Sequence, residues 1–374
     1  MKNLLAMTLF GVTAACSATA AEPFNVGVIA PTSGPVATVG VRQLDAIRWW
    51  QQDVNGKGGI KGRSVELITC DDQGNPEVAV TCARNLIDKH AVLILNCSVT
   101  GPVRATLPLV KDGPVMIVAS PAILPDPSTY VFQGMPTDLD MTRALYDFLN
   151  RNGVTRVAMI AATDATGEVA VQDANKVFGA STMKFALSRI DLKANDASVQ
   201  LAKVMSDNPQ VLYSSYSGGG AITVVKSFTN LGLTIPLIVN NANATDAFID
   251  VVKNDMPPVL MSIGLQSMVP EDVADAKTRE HIDYFKKSYL AWKHEPDDQL
   301  NQLGLLLADI ADSVLRGVPD PADPKAVKTF LESTPINSVQ TVHYSPDNHI
   351  GLKTDNVVVV QYKDGHWAKA EMPK

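Results

Sequence analysis

Phe24-Asn25-Val26-Gly27-Val28-Ile29-Ala30-Pro31-Thr32-Ser33-Gly34-Pro35 is the stretch on which the fold turns. Phe24 to Ala30 reads as a strand, and the segment beyond Pro35 reads as a helix. Val41, Leu44, Ile47, Trp50 and Val54 recur at helical spacing, and Asn55-Gly56-Lys57-Gly58-Gly59 ends that helix as glycine commonly does. Working outward, Ser64 to Cys70 is a second strand. Asn75 caps and Pro76 opens a second helix that runs to Lys89. Ala91 to Cys97 and Pro114 to Ser120 are further strands, with a helix after Pro102 between them.

The rhythm then starts again. Arg156 to Ala162 is a strand, followed by a helix from about Glu168. Met183 to Ile190, Val211 to Tyr216 and Pro236 to Asn241 are strands with helices between them. Alternating β and α units imply parallel sheets covered by helices on both faces, and Val92-Leu93-Ile94-Leu95 has the unbroken apolar character of a strand buried on both sides. Two such series predict an α/β chain of two similar, doubly wound parallel-sheet lobes. Towards the end the order changes to helices at about 274–293, 297–316 and 324–333. Leu300, Leu303, Leu307, Ile310 and Val314 share one helix face. Two strands close the chain near 338–344 and 356–362. With no low-complexity linker, the lobes are expected to be joined by several crossing strands.

A chain of 374 residues exceeds the usual size of a single core, which agrees with two lobes. The net charge of −7, without a basic stripe, speaks against nucleic acid as a partner. Residues 1–21 read as a cleaved secretory signal peptide: Lys2, an apolar run from Leu4 to Val12, then Ser17-Ala18-Thr19-Ala20-Ala21. The run is shorter than a bilayer requires. Lipidation at Cys16 ranks second, because Thr13 occupies the place where a leucine is usual. The expected product is an exported, periplasmic protein without a membrane span.

Three cysteines remain after such cleavage. Cys70 ends a strand and Cys82 lies about two turns into the helix that packs back over it. This favours a Cys70–Cys82 disulfide; three buried reduced thiols are the alternative. The six histidines show no metal-ligand spacing, no Gly-x-Ser-x-Gly elbow is present, and Ser217-Gly218-Gly219-Gly220 lacks the completing residues of a nucleotide loop. No enzyme, metal or cofactor is therefore expected. Asp71-Asp72 reads as a pair of solvated loop charges.

Several segments in order carry a resemblance: Val26 to Pro35, Lys57-Gly58-Gly59-Ile60-Lys61-Gly62-Arg63, Asp71-Asp72-Gln73-Gly74-Asn75-Pro76, and Ser120-Pro121-Ala122. The chain resembles the leucine/isoleucine/valine-binding family of periplasmic solute-binding proteins over nearly its whole length. The resemblance implies a type I periplasmic-binding fold with three crossovers and a hinge. It divides the chain into lobe 1 (22–140 plus 268–336) and lobe 2 (141–267 plus 337–374), with a ligand in the cleft. It implies a monomer that serves an ABC permease.

Matched by position, Ser98 is implied to hold the ligand carboxylate, with Cys97 beside it. Ala122 offers its backbone and Tyr216 an aromatic ring. The departures are Leu124 for a threonine, Asn241 (or Asn240 on a one-residue slip) for an acidic residue, and Val39 and Thr166 for tyrosines. Burying an ammonium without an anion costs several kcal/mol. A carboxylate lacking an α-amino group is therefore expected to bind better than an amino acid, unless Asp164 or Asp246 substitutes. Arg42 and Arg104 read as solvated arginines, and Trp49 and Trp50 as packing residues. A ligand-sensing module and an exported hydrolase are the competing functions; the missing nucleophile elbow counts against the second.

Overall fold

The structure is a computed structural model and describes residues 22–373, Leu192 excepted. The expected signal peptide and Cys16 lie outside the described residues.

The first sheet contains β1 (Phe24–Ala30), β2 (Val65–Asp71), β3 (Leu93–Asn96), β4 (Val115–Val118) and β5 (Val131–Gln133). All are parallel, in the order β2-β1-β3-β4-β5. Helices α1 (Ala37–Gly56), α2 (Pro76–Asp88) and α3 (Thr100–Thr106) connect them. Alternate strand residues feed opposite faces. Val26, Val28, Leu95 and Ile117 join one core cluster, whereas Ile29, Ile94 and Met116 join another with Cys82 and Leu86 of α2.

The second series runs α4 (Asp138–Arg151), β6 (Arg156–Ala162), α5 (Ala165–Phe178), β7 (Lys184–Ile190), α6 (Ser198–Met205), β8 (Val211–Ser214), α7 (Gly219–Asn230), β9 (Leu237–Val239), α8 (Asp246–Val252) and β10 (Leu260–Leu265). Then α9 (Ala276–Lys293), α10 (Gln299–Gly317) and α11 (Pro324–Ser333) return to the first sheet, where α10 lies along α1. A short hairpin, β11 (Ile336–Asn337) with β12 (Thr341–Val342), precedes β13 (Val357–Lys363) and β14 (His366–Lys369). The second sheet has the order β14-β13-β10-β9-β8-β6-β7; its last two strands in sequence are antiparallel additions to a parallel core. The parallel part repeats the strand order of the first sheet.

The chain thus passes between the sheets three times, after β5, after β10 and before β13. Residues near the third passage pack on the first sheet: His349 stacks on Phe132 with ring centroids 3.8 Å apart, and Tyr344 Oη donates to the Gln133 carbonyl at 2.7 Å. One core cluster continues from Val28 and Leu306 to Met159 and Ile263, so both halves share it.

Boundaries follow local chemistry. Helix α5 begins at Ala165 instead of near Glu168, because the Asp164 carboxylate accepts the Gly167 N–H at 2.8 Å and caps it. Asn75 caps α2 as its sequence predicts, accepting from the N–H groups of Glu77 and Val78. Cys70 and Cys82 form a disulfide, with Cα atoms 5.6 Å apart. Cys97 is free and buried. Among the described residues no helix is long and apolar enough to cross a membrane.

Candidate binding cleft

In an open sheet of order 2-1-3-4-5, the loops leaving the carboxyl ends of the first and third strands diverge and leave a crevice. Here two such crevices face each other. From the first sheet come Ser98, Val99 and Thr100 after β3, and Ala119, Ser120 and Pro121 after β4. From the second come Ala162, Asp164 and Thr166 after β6, Ser215, Tyr216 and Ser217 after β8, and Asn240, Asn241 and Ala242 after β9. Val36, Val39 and Gln43 near the start of α1, Met135 on the first crossing, and Leu300 and Leu303 of α10 complete the wall. The cavity they enclose has a volume of about 140 Å³.

Helix α1 reaches this position because Gly40 lets it approach the preceding loop: a Cβ there would stand 2.3 Å from the Pro31 carbonyl oxygen. Helix α10 reaches it because Gly304 lies against the backbone of Gln43, where a Cβ would meet the carbonyl oxygen at 2.2 Å. The start of α10 is fixed by a capping box in which Asp298 accepts from Leu300 and Asn301. Arg42 Nε reaches the same carboxylate at 2.9 Å, and Arg42 Nη1 reaches Glu295 at 3.0 Å, so Arg42 is a structural ion-pair residue and not a solvated one. Trp49 and Trp50 are core residues, 5% and 3% exposed.

Polar side chains in the cleft are mostly linked to each other. Thr166 Oγ1 of α5 donates to Thr100 Oγ1 of α3 at 3.0 Å, which stands 3.1 Å from Ser120 Oγ. This chain of hydroxyls spans the two halves. Ser217 Oγ donates to Asn240 Oδ1 at 3.3 Å, and the Ala242 N–H donates to the same atom at 2.9 Å. Gln299 Nε2 donates to the Asn241 carbonyl at 3.0 Å. Tyr216 is 2% exposed, and its hydroxyl donates to the Ile190 carbonyl, so only its ring is offered to the cavity.

Ser98 is 1% exposed; its N–H donates to Asn96 Oδ1 at 3.2 Å, and its Oγ has no hydrogen-bond partner among the described residues. Behind it lies Asp72. The expected solvated pair is divided: Asp71 is half-buried and Asp72 is 0% exposed. Burial opposes ionisation of Asp71, but hydrogen bonds from Ser33 Oγ and from the N–H groups of Gln73 and Thr32 outweigh it and hold its pKa at about 2. Burial pushes the Asp72 carboxyl up, with Asp71 adding to the rise and Ser98 and the Gly74 N–H opposing it. Asp72 Oδ1 accepts from that N–H at 3.2 Å, and Oδ2 has no well-formed partner.

Of the positions read from sequence, Val39, Ser98, Thr166, Tyr216 and Asn241 come together around the cavity. Cys97, Ala122 and Leu124 do not line it. Cys97 is the fully buried end of the β3 segment and belongs to the core. The Pro121-Ala122 turn carries the chain away, so Ala122 sits behind Ser120 and Leu124 is 65% exposed. Asp246 is exposed and outside the lining, whereas Asp164 is part of it. Sequence reasoning missed Gln43, Thr100, Ser120, Met135, Ser215, Leu300 and Leu303. Several of the polar ones lie directly after strand ends, which is a usable signal. Leu300 and Leu303 share one apolar stripe with core residues and carry none.

Among the described residues no group of three His, Cys, Asp or Glu side chains could hold a metal ion.

Comparison with known proteins agrees with this architecture. A Leu/Ile/Val-binding protein of Escherichia coli K12 is 26% identical over 202 residues, 52% of this chain and 54% of that one. The chain thus spans about half the length of such curated relatives, which are named as binding proteins. A solute-binding protein of a Rhodopseudomonas palustris ABC transporter, solved in complex with benzoate, superposes with a TM-score of 0.78 at 22% identity, covering 94% of this chain and 96% of that one. A leucine-binding protein of Thermotoga maritima superposes with a TM-score of 0.79 at 17% identity over 93% and 97% of the two chains. These likenesses establish the type I periplasmic-binding fold. The sequence family described as periplasmic binding protein matches residues 23–366, and the chain therefore belongs to the periplasmic binding protein family.

Proposed function

We propose that this chain is the extracytoplasmic solute receptor of an ABC importer, and that it closes over a small carboxylate without an α-amino group, an aromatic or aliphatic acid. In this reading residues 1–21 are a cleaved signal peptide and the mature chain is a monomer. Lobe 1 (22–140 plus 268–336) and lobe 2 (141–267 plus 337–374) move about the three crossings, and the closed form is what a permease recognises.

The observation that carries the reading is the character of the cavity. Its volume of about 140 Å³ is close to that of an apolar cavity of about 150 Å³ known to take up benzene. One wall is apolar, made by Val36, Val39, Ala119, Met135, Leu300 and Leu303. Facing hydroxyls can donate to a carboxylate. If Thr166 donates to Thr100 and Thr100 to Ser120, the Ser120 hydrogen remains free for the ligand. Ser98 supplies a second hydroxyl.

For an α-ammonium the cavity offers little. Asn240 and Asn241 stand where the resembled family has its acid; the Asn240 side-chain oxygen already accepts from Ser217 Oγ and the Ala242 N–H, and neither amide carries the charge of a carboxylate. Asp164 is the one acidic side chain among the described residues of the lining, and its Oδ1 is committed to the Gly167 N–H. A binding protein of the same fold solved with benzoate supports the ligand class. Calorimetric titration with benzoate and with leucine tests it: benzoate is expected to bind and leucine to bind at least about a hundredfold more weakly, from roughly 3 kcal/mol of uncompensated ammonium. Tight leucine binding would refute it.

A further inference from the structure

Asp72 has no place in the function described so far. It is fully buried in the turn after β2. One of its carboxylate oxygens and the Ser98 hydroxyl are both buried without a well-formed partner among the described residues, and Ser98 is close enough to act on the Asp72 carboxyl. The groups that act on Asp72 are Asp71 in the same turn, Ser98, and Cys97 at the end of β3, whose thiol is pushed up by burial and by Asp72 itself. None is a cation. Glu77, the ionisable group in the first turn of α2, is exposed.

A serine hydroxyl has one hydrogen to give. While Asp72 is ionised, that hydrogen is best directed at Asp72, and Ser98 turns only lone pairs towards a ligand. A carboxylate at Ser98 then meets lone pairs in front and a second carboxylate behind. One extra proton resolves this. We propose that Asp72 takes up one proton from solvent when a carboxylate binds at Ser98. The protonated Asp72 donates its O–H to Ser98 Oγ, and Ser98 donates to the ligand. No covalent bond to carbon changes, and the proton returns to solvent on release. The inference rests on the reading of Ser98 as the carboxylate site.

Two carboxylates on either side of one hydroxyl repel each other strongly in a buried place, so one is driven to take a proton. Burial and Asp71 already raise the Asp72 pKa, so a ligand has only to complete the rise. Asp72 thereby acts as a positioning residue that sets specificity. Protonated, it selects a carboxylate. Ionised, it leaves Ser98 an acceptor that suits a primary amide.

The test is calorimetry of the full chain with benzoate, in buffers of different ionisation enthalpy, between about pH 6 and 8, where the acid itself is fully ionised. The expected result is uptake approaching one proton per benzoate, with affinity falling up to about tenfold per pH unit as pH rises. Asp72→Asn should still bind benzoate, with no proton uptake and a flat pH profile. Benzamide should show neither effect with the unmodified chain. Benzoate binding without proton uptake overturns the proposal but leaves the carboxylate site standing. Failure of benzoate to bind, or unchanged affinity in Ser98→Ala, overturns both. If Asp72→Asn does not fold, the proton count of the unmodified chain decides.

Discussion

In the first half of the molecule, a Cβ on Gly40 would lie 2.3 Å from the Pro31 carbonyl oxygen; in the second half, a Cβ on Gly167 would lie 2.1 Å from the Ala162 carbonyl oxygen. Each glycine sits near the start of the helix that follows its sheet's leading strand. The same close approach recurs because the crevice at each switch point depends on it. The chemistry laid on that shared geometry differs. The first half gives the cleft most of its apolar wall, carries a disulfide and holds Asp71 well below the usual carboxylate range. The second half gives it polar side chains engaged with each other. Outside the cleft, at the start of α4 and beside Asp173 and Asp164, the Asp138 carboxyl is held high. Topology was repeated, and side-chain function was divided.

The two carboxylates give the largest expected effect. Burial, with Asp173 and Asp164 nearby, raises the Asp138 pKa to about 7. Its Oδ2 has no partner among the described residues. A raised acid binds its proton more tightly folded than unfolded, so its contribution is full below the unfolded value and disappears as pH rises to about 7. At 1.36 kcal/mol per unit, the loss between about pH 4 and 7 is at most about 4 kcal/mol. Asp138→Asn should raise the melting temperature at pH 8, and the difference should vanish at pH 4 to within about 1 °C by scanning calorimetry. Asp71 has the opposite sign: its contribution is present above the unfolded value and lost as pH falls through about 2. These two carboxylates should therefore weaken the fold at opposite ends of the pH range. Equal pH profiles in Asp138→Asn and the unmodified chain would break the contrast.

Next in size come the glycines. Gly40→Ala and Gly167→Ala each drive a methyl into backbone that cannot turn aside, at a cost of about 3 kcal/mol. Urea unfolding measures both. Equal costs sharpen the equivalence of the two helices, and a tolerated substitution in one half ends it. Reducing Cys70–Cys82 should cost up to about 3 kcal/mol from a loop of that length. Hydrogen exchange should show the loss in the first sheet only.

The same division explains what could be read from sequence. Arg156–Ala162 is a strand with the ends its apolar run predicts, and the Cys70–Cys82 pair follows from a helix folding back on its strand. The sequence reading leaves out β5, because Val131–Gln133 is too short to show a period. It also leaves out α4 and β10. Met141, Leu145 and Leu149 in α4, and Leu260, Met261, Ile263 and Leu265 in β10, did carry a signal. Positions after strand ends were legible as cleft residues wherever the chain stays at the sheet edge, as at Ser98, Thr166 and Tyr216. Leu124 shows the limit: matching its position could not reveal that the proline-bounded turn swings it into solvent. Asp72 shows another, since its identity is that of a loop charge, yet the folded turn buries it completely.

The smallest effect is the most direct probe of the two halves acting together. Thr166 belongs to α5 and Thr100 to α3, so under the proposed hinge motion their 3.0 Å hydrogen bond exists only while the cleft is shut. A neutral hydrogen bond contributes about 1 kcal/mol net. Thr166→Ala removes it from the closed form without touching the open one, so the closed population falls by about fivefold and affinity with it. Thr166→Ser retains the hydroxyl and should restore most of that factor. The change should appear as faster dissociation, because the bond forms after encounter and must break before release. Thermal stability without ligand should stay within about 0.5 kcal/mol of the unmodified chain, since the residue is only half-buried. A stability loss as large as the affinity loss would mean that the pair holds the fold together and does not report on closure.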